Sequence, residues 1–347
     1  MNKSFVLLLS AIGLLAVGCA QQDPASEGKK AEEYITLYME SFYPDVARES
    51  SGIYILEDTP GSGELWDDDL DYIYASITVR DLGGTITSTR DEKLAKQLGT
   101  YATFNYYGPV YQHIGENFSY AGLDAMLDGM RIGGTRTAIL PAWLVTTSRC
   151  DSKDAYLKAC TKSTNHLMYT VTLAGQTDDI DETEKQQIED YLKKAYGTAP
   201  APVSFKEDVD PDGSFYFISD VSGFDPDDER SSDATLKLNY TGRLLTTGQI
   251  FDTTDEKLAK DIGIYSASRT YEPVTITFSD NWDSIAMNGN STTLIDGFQG
   301  GLSLMKWSKQ KATIIFISAL GYTSSGSGNI IPPYAPLIFD LELLDNN

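Results

Sequence analysis

The sequence predicts an α+β protein in which one domain occurs twice. A motif carries the first part of this reading: Asp91-Glu-Lys-Leu-Ala-Lys96 returns as Asp255-Glu-Lys-Leu-Ala-Lys260. Each copy follows a glycine-bearing hairpin (Gly83-Gly84, Gly248) and precedes a Gly-x-Tyr (Gly99-Thr-Tyr101, Gly263-Ile-Tyr265). The flanking elements recur in the same order. A helix-spaced stretch at 31–46 answers to 181–196, Ile53-Tyr54-Ile55 to Phe215-Tyr216-Phe217, and residues 167–173 to 337–343. The 21 Tyr and 13 Phe fall largely in strand-like alternation, which favours β-structure between the helices. With 347 residues the chain exceeds one ordinary core. Two copies are too few for a solenoid, so the repeat is a tandem duplication.

Taken in order, residues 1–18 form a leader. Lys3 supplies a weak positive start, and the apolar run from Phe5 to Val17 is too short to span a bilayer. It ends Leu15-Ala16-Val17-Gly18-Cys19, which resembles a bacterial lipobox with Ala16 where Leu is usual, so Cys19 is the expected lipid acceptor. The plainer alternative is a secretory leader cut near Ala20. No other run is long enough to cross a membrane, and a lipid anchor needs more than one acyl chain to hold. The outer membrane of a bacterial envelope, facing periplasm or exterior, is the expected address. Residues 19–30 are polar and read as a flexible tether. In 31–46, Tyr34, Leu37, Tyr38 and Tyr43 lie at helical spacing before Pro44. The first domain spans 31–176. A helix and a stiff Pro-containing linker occupy 177–204, and the second domain spans 205–347.

Composition excludes several functions. Against 27 Lys+Arg stand 50 Asp+Glu, a formal net charge of −23 with no basic stripe, which argues against nucleic acid and against electrostatic docking on anionic lipid. Cys150 and Cys160 with only His166 nearby do not fill a metal's tetrahedral set. An exported chain meets oxidising conditions, so a Cys150–Cys160 disulfide is expected, worth roughly 2–3 kcal/mol in loop-entropy terms. Asp208-x-Asp210-x-Asp212-Gly213 starts like a calcium loop, but Ser219 stands where the closing Glu belongs, and the stretch reads as an acidic turn. His113 and His166 have no matching nucleophile and read as structural. Neither cofactor nor metal is expected, and the chain is expected to be a monomer.

The most informative stretch is the C-terminal one. Tyr322 opens a Gly/Ser loop that runs into Ile330-Ile331-Pro332-Pro333, and a closing strand places Leu337, Phe339, Leu341 and Leu343 on one face. Upstream stand Tyr240-Thr-Gly, Phe251-Asp252 and Leu294-Ile295-Asp-Gly297-Phe298. In this order the segments resemble the FKBP-type peptidyl-prolyl cis-trans isomerases. That resemblance implies two tandem domains, each an antiparallel, twisted half-barrel sheet wrapped on a short helix and each preceded by a helix. It implies Phe298 as the floor of an apolar bowl, in place of the usual Trp, with Tyr240, Phe251 and Phe339 as walls. The Ile295 N–H and Tyr322 O–H become donors, Asp252 sets the polar edge, and Ile331 belongs to the lip. Residues 255–273 form an insertion relative to the family's compact link. The first copy carries the scaffold segment Tyr120-Ala-Gly122 to Pro141 but has Thr87-Ser88 for Phe251-Asp252 and Leu123 for Phe298. Its flap is replaced by the Cys150–Cys160 segment, and it is expected to be a scaffold or binding domain.

The implied chemistry needs no nucleophile. Rotating an X–Pro amide costs ~18–20 kcal/mol, and a ~10⁵-fold acceleration asks for only ~7 kcal/mol. A dry aromatic cradle that favours the twisted amide suffices. The expected function is isomerisation of X–Pro bonds in unfolded or extended polypeptide outside the cytoplasm. The other reading is a non-catalytic surface lipoprotein that binds protein or peptide.

Overall fold

The computed structural model describes residues 24–344 apart from 147, 148, 151, 160–164, 207, 208, 210–212 and 293. Helix α1, Pro24–Phe42, starts inside the stretch expected to be a flexible tether, which corrects that expectation for residues 24–30. A proline is tolerated in the first turn, where its missing N–H has no helical acceptor. The helix stops two residues before Pro44, because the residue ahead of a proline disfavours the helical conformation. The leader and Cys19 lie outside the described residues, as do Cys160, and with it the expected disulfide, and most of the acidic turn at 208–212.

The first domain is β1 (Tyr54–Thr59), β2 (Tyr72–Asp81), β3 (Ile86–Ser88), α2 (Glu92–Leu98), β4 (Val110–His113), α3 (Ala121–Leu127), β5 (Thr135–Leu140), α4 (Lys153–Ala159) and β6 (Leu167–Thr177). Its antiparallel sheet runs β1-β5-β6-β2-β3, with β4 also on β2. Helix α5 (Ile180–Tyr196) leads to β7 (Phe215–Ile218), β8 (Thr235–Leu244), β9 (Ile250–Thr253), α6 (Glu256–Asp261), β10 (Val274–Thr277), β11 (Ala286–Met287), α7 (Asp296–Leu304), β12 (Lys311–Phe316) and β13 (Leu337–Leu344). The second sheet runs β11-β10-β8-β13-β12-β7, with β9 also on β8. The two domains therefore share one topology, β7, β8, β13 and β12 standing where β1, β2, β6 and β5 stand. Both sheets are open, and each carries a short helix on its inner face: α3 buries Leu123, Met126 and Leu127, and α7 buries Phe298 and Leu302.

Period-two alternation decides which side chains meet which helix. Along β12 and β13, Ile314, Phe316, Leu337, Phe339, Leu341 and Leu343 point to α7, while Ile315 and Ile338 point to the back. There they pack on Ile188 and Leu192 of α5. The back of the first sheet is covered in the same way, Ile35 and Met39 of α1 packing on Tyr54 and Ile139. Each such side chain, taken fully out of water, contributes about 1.5–3 kcal/mol. His166 is structural, as expected: its Nδ1 accepts from the Ala142 N–H at 3.1 Å and its Nε2 meets the Ala31 carbonyl at 2.9 Å.

Within the Cys150–Cys160 segment, helix α4 packs through Tyr156 and Leu157 against Gly28 of α1, while Arg149 just ahead of it donates to the Gly115 and Ser119 carbonyls. The domains touch each other directly. Thr103 Oγ1 donates to the Gly263 carbonyl (2.8 Å), the Gln249 amide to the Phe104 and Asn105 carbonyls (3.0 and 3.2 Å), and the Tyr106 N–H to the Asn329 carbonyl (2.7 Å). Tyr72 and Tyr334 meet edge to face, 5.3 Å apart.

Helix α5 also reaches both domains. Gln187 faces the Tyr111 hydroxyl of the first (3.4 Å), and the fully buried Glu184 accepts from the Ser318 N–H (2.5 Å) and hydroxyl (2.6 Å) of the second. Burial pushes the Glu184 carboxyl from 4.5 up to about 7, against the lowering effect of the two Ser318 bonds. The folded state thus holds a proton that the unfolded state has released, and folding loses stability as pH rises from 4.5 to about 7. The size of this loss is about 3 kcal/mol. Glu184→Gln removes the titration. The stability of the native protein minus that of the variant, from urea denaturation, is expected to fall by about 3 kcal/mol between pH 4.5 and 8, and a difference independent of pH would contradict the assignment.

Candidate active site

The C-terminal bowl is assembled where three strands and one helix bring rings to a single point. Tyr240 lies on β8, Phe251 on β9, Phe339 on β13 and Phe298 in the first turn of α7. Phe339 is central: its ring centroid lies 5.1 Å from Phe298, 5.5 Å from Phe251 and 6.5 Å from Tyr240. Phe298 and Phe251 meet it nearly edge-on, at 71° and 83°, the geometry that the ring quadrupoles favour. Tyr240 closes the circle at 5.6 Å from Phe298. The register requires a glycine here. Gly242 pairs with both Asp252 and Phe339, and a Cβ on it would come within 2.7 Å of the Phe251 and Phe339 rings.

The polar edge is a three-residue network. The Tyr240 hydroxyl donates to Asp252 Oδ2 at 2.8 Å, Arg269 pairs with Asp252 Oδ1, and Arg269 Nη2 donates to the Tyr240 oxygen at 3.3 Å. Burial, and next the charge of Asp252, raises the Tyr240 phenol above its ordinary range, so it remains a donor. Burial works against the Arg269 charge, but its bond and ion pair with Asp252 outweigh that.

Arg269 is the residue that sequence reasoning missed. It sits in the 255–273 insertion, and no apolar side chain of that insertion enters the cluster around the rings. The loop is a folded unit instead. Asp255 caps α6 by accepting from the Leu258 N–H (3.0 Å), and Tyr265 stacks on Tyr271 with centroids 5.3 Å apart. The first copy has the same loop, Asp91 capping α2 and Tyr101 stacked on Tyr107 at 5.4 Å. The legible signal was this paired tyrosine staple, with Arg269 in one copy where Asn105 stands in the other.

The remaining expected residues surround the bowl. Ile295 is the residue before α7, so its N–H lies outside the helical ladder. Ile331 is buried in the ring cluster, while Ile295, Ile330 and Tyr322 pack on it half-buried. Burial first, and then the Asp252 charge, raises the Tyr322 phenol. The flap is pinned by reciprocal bonds, Ser327 N–H to Ile331 O (2.8 Å) and Ile331 N–H to Ser327 O (3.1 Å). Tyr106 of the other domain also joins the cluster and is itself buried, so the rim of the bowl is shared between domains.

Matching registers give the first copy's equivalents. Val79 pairs with Ser88 and Tyr169 as Gly242 pairs with Asp252 and Phe339. Ile77 thus replaces Tyr240 and Tyr169 replaces Phe339, beside Thr87, Ser88 and Leu123. The side chain of Val79 stands where the glycine admits two rings. Among the described residues the first copy has neither the ring cluster nor the polar network.

The rings and the sheet together define an aromatic-lined, open antiparallel half-barrel. Residues 227–344 match the model of the FKBP-type peptidyl-prolyl cis-trans isomerase family. The chain is 31% identical over 120 residues to a probable FKBP-type peptidyl-prolyl cis-trans isomerase of Haemophilus influenzae, covering 35% of this chain and 38% of that protein. It is 30% identical over 110 residues to FK506-binding protein 2 of Kluyveromyces lactis, covering 32% of this chain and 61% of that one. A solved structure of the three FKBP domains of wheat FKBP73 is similar over 85% of this chain and 95% of its own, at 13% identity and a TM-score of 0.28. The similarity to the FKBP-type family thus lies in the C-terminal domain, and the chain spans less than two thirds of the length of the Haemophilus and Kluyveromyces relatives.

The close approach at Gly242 yields a test. Gly242→Ala forces two rings apart and is expected to lower stability by about 1–3 kcal/mol. Urea denaturation followed by aromatic fluorescence measures it, and an unchanged midpoint would show that the rings do not meet there.

Proposed function

We propose that the C-terminal domain catalyses cis–trans isomerisation of X–Pro bonds in unfolded or extended polypeptide. The observation that carries this is the convergence of Tyr240, Phe251, Phe298 and Phe339 beside the Tyr240–Asp252–Arg269 network. Phe298 forms the floor for the proline ring, and Tyr240, Phe251 and Phe339 form the walls. The planar amide is resonance-stabilised and its carbonyl is well hydrated. Twisted, it loses conjugation, and a water-poor aromatic surface favours that state over the planar one. The Ile295 N–H and the Tyr322 hydroxyl hold flanking carbonyls, while Arg269 offsets the charge of Asp252 so that the polar edge orients the chain. Ile331 closes the lip. No covalent intermediate is needed.

The leader and lipobox support the further reading that the protein is exported and held by lipid on Cys19 at a bacterial membrane, the outer membrane being favoured. It works there as a monomer on proline-containing clients.

Proline-limited refolding of a substrate protein tests the activity. Phe251→Ala is expected to lower kcat/KM roughly tenfold or more, a loss of about 1.4 kcal/mol or more of transition-state stabilisation. Tyr322→Phe costs less, and Arg269→Met lies between. If the Phe251→Ala/Tyr322→Phe double variant matches the native rate, the chain is a binder and not a catalyst. Anchoring has its own test: labelled palmitate is incorporated by cells making the native protein and is lost with Cys19→Ser, whereas label retained in that variant would place the lipid elsewhere.

A further inference from the structure

The first domain lacks the aromatic bowl, yet the equivalent face of its sheet is an open cleft of about 680 Å³. Its floor is apolar, formed by Ile77, Val79, Phe118, Tyr120, Leu123 and Tyr169. One wall comes from the other domain: Ser324, Pro333 and Tyr334 belong to the flap whose Ile330 and Ile331 face the C-terminal bowl. The charge lining the cleft is opposite to that of the chain. The protein carries 50 Asp+Glu, but among the described residues none lines this cleft, where Arg90 stands. Arg90 Nη1 is buried and meets no hydrogen-bond acceptor among the described residues. The Arg90 side chain as a whole is half-buried on the cleft wall, and a carboxylate from outside suits its fork geometry best. The second copy has Thr254 at this position, its hydroxyl meeting the Tyr240 N–H at 3.0 Å. Arg90 therefore has no part in a bowl of the C-terminal kind.

The cleft also offers main-chain pairing. All four residues of β4 line it. In the second sheet β10 is covered by β11, whereas among the described strands β4 pairs with β2 alone. No described strand occupies its other edge, the side on which an added strand pairs.

We propose that this cleft binds an extended polypeptide segment that places a carboxylate on Arg90 and apolar side chains over Leu123 and Tyr169. The carboxylate belongs to that segment, as its C-terminal group or as an acidic side chain. Bound in this way, the segment lies against the outer side of the flap that closes the neighbouring bowl. The site is distinct from the isomerase reading and does not rest on it.

Fluorescence anisotropy on the full chain tests this with three proline-free peptides: fluorescein-Gly-Val-Leu-Ile-Phe with a free C-terminus, its amide, and the amide with Glu replacing Ile. At least one carboxylate-bearing peptide is expected to bind tenfold or more tighter than the plain amide, and which one does so identifies the source of the carboxylate. Arg90→Met erases that preference and leaves the isomerisation rate unchanged. Phe118→Ala, on an exposed side chain whose loss does not threaten the fold, weakens all three peptides several-fold. Equal binding of the three peptides, a preference that survives Arg90→Met, or binding untouched by Phe118→Ala overturns the proposal. So does benzoate competing as strongly as the peptides, since that would mark a small-acid site.

Discussion

The contact on which the rest depends is the meeting of Phe251 and Phe339 over Gly242, where a single hydrogen in place of a Cβ lets two strands bring their rings together. Phe298 then meets Phe339 at 5.1 Å and Tyr240 meets Phe298 at 5.6 Å, which completes the surface. The polar edge depends on the same register, for Gly242 also sets Asp252 opposite and Tyr240 two residues back on the same face. At the matching place the first copy has Val79, and with Ile77, Ser88 and Leu123 in place of the ring and edge residues an open cleft stands there.

The two copies thus share a scaffold and differ at their sites. Both sheets are backed by a helix that precedes them in the chain, and both keep the tyrosine-stapled loop after the third strand. The first copy's loop no longer sends an arginine to its own site. Residues 103–106 instead meet Gln249, Gly263 and Asn329 around the second site. Helix α5 ties the arrangement together, packing its apolar face on the second sheet, placing Glu184 under Ser318 and reaching Tyr111 of the first domain. A carboxyl whose burial favours the protonated form makes this joint looser as pH rises through neutrality.

Much of this was legible in the sequence because it is local. Alternation in 337–343 gives the inward face of β13, and the repeated motif gives two domains of one topology. The segments around Tyr240, Phe251, Phe298 and Phe339 have the family's order, and the structure brings their rings together. What was not legible depends on distant contact. Arg269 lies in an insertion with no local mark of where its guanidinium goes, and its partner is seventeen positions earlier in the chain. The placing of α4 against α1, and of Tyr106 at the rim of the other domain, follows from packing between elements far apart in sequence. The early start of α1 escaped notice because a polar stretch with Pro24 in its first turn has no apolar period to reveal a helix.

The central claim is that the ring cluster gathered on Gly242 favours a rotated prolyl amide. Exchange NMR on a short Leu-Pro peptide measures this without a folding reporter. With a small fraction of the native full chain present, cis and trans resonances are expected to show exchange cross-peaks within a second. With Gly242→Val at the same concentration those cross-peaks are expected to vanish, while the dispersed methyl signals of the first domain persist. Equal exchange in the two proteins, with both folded, would contradict the account.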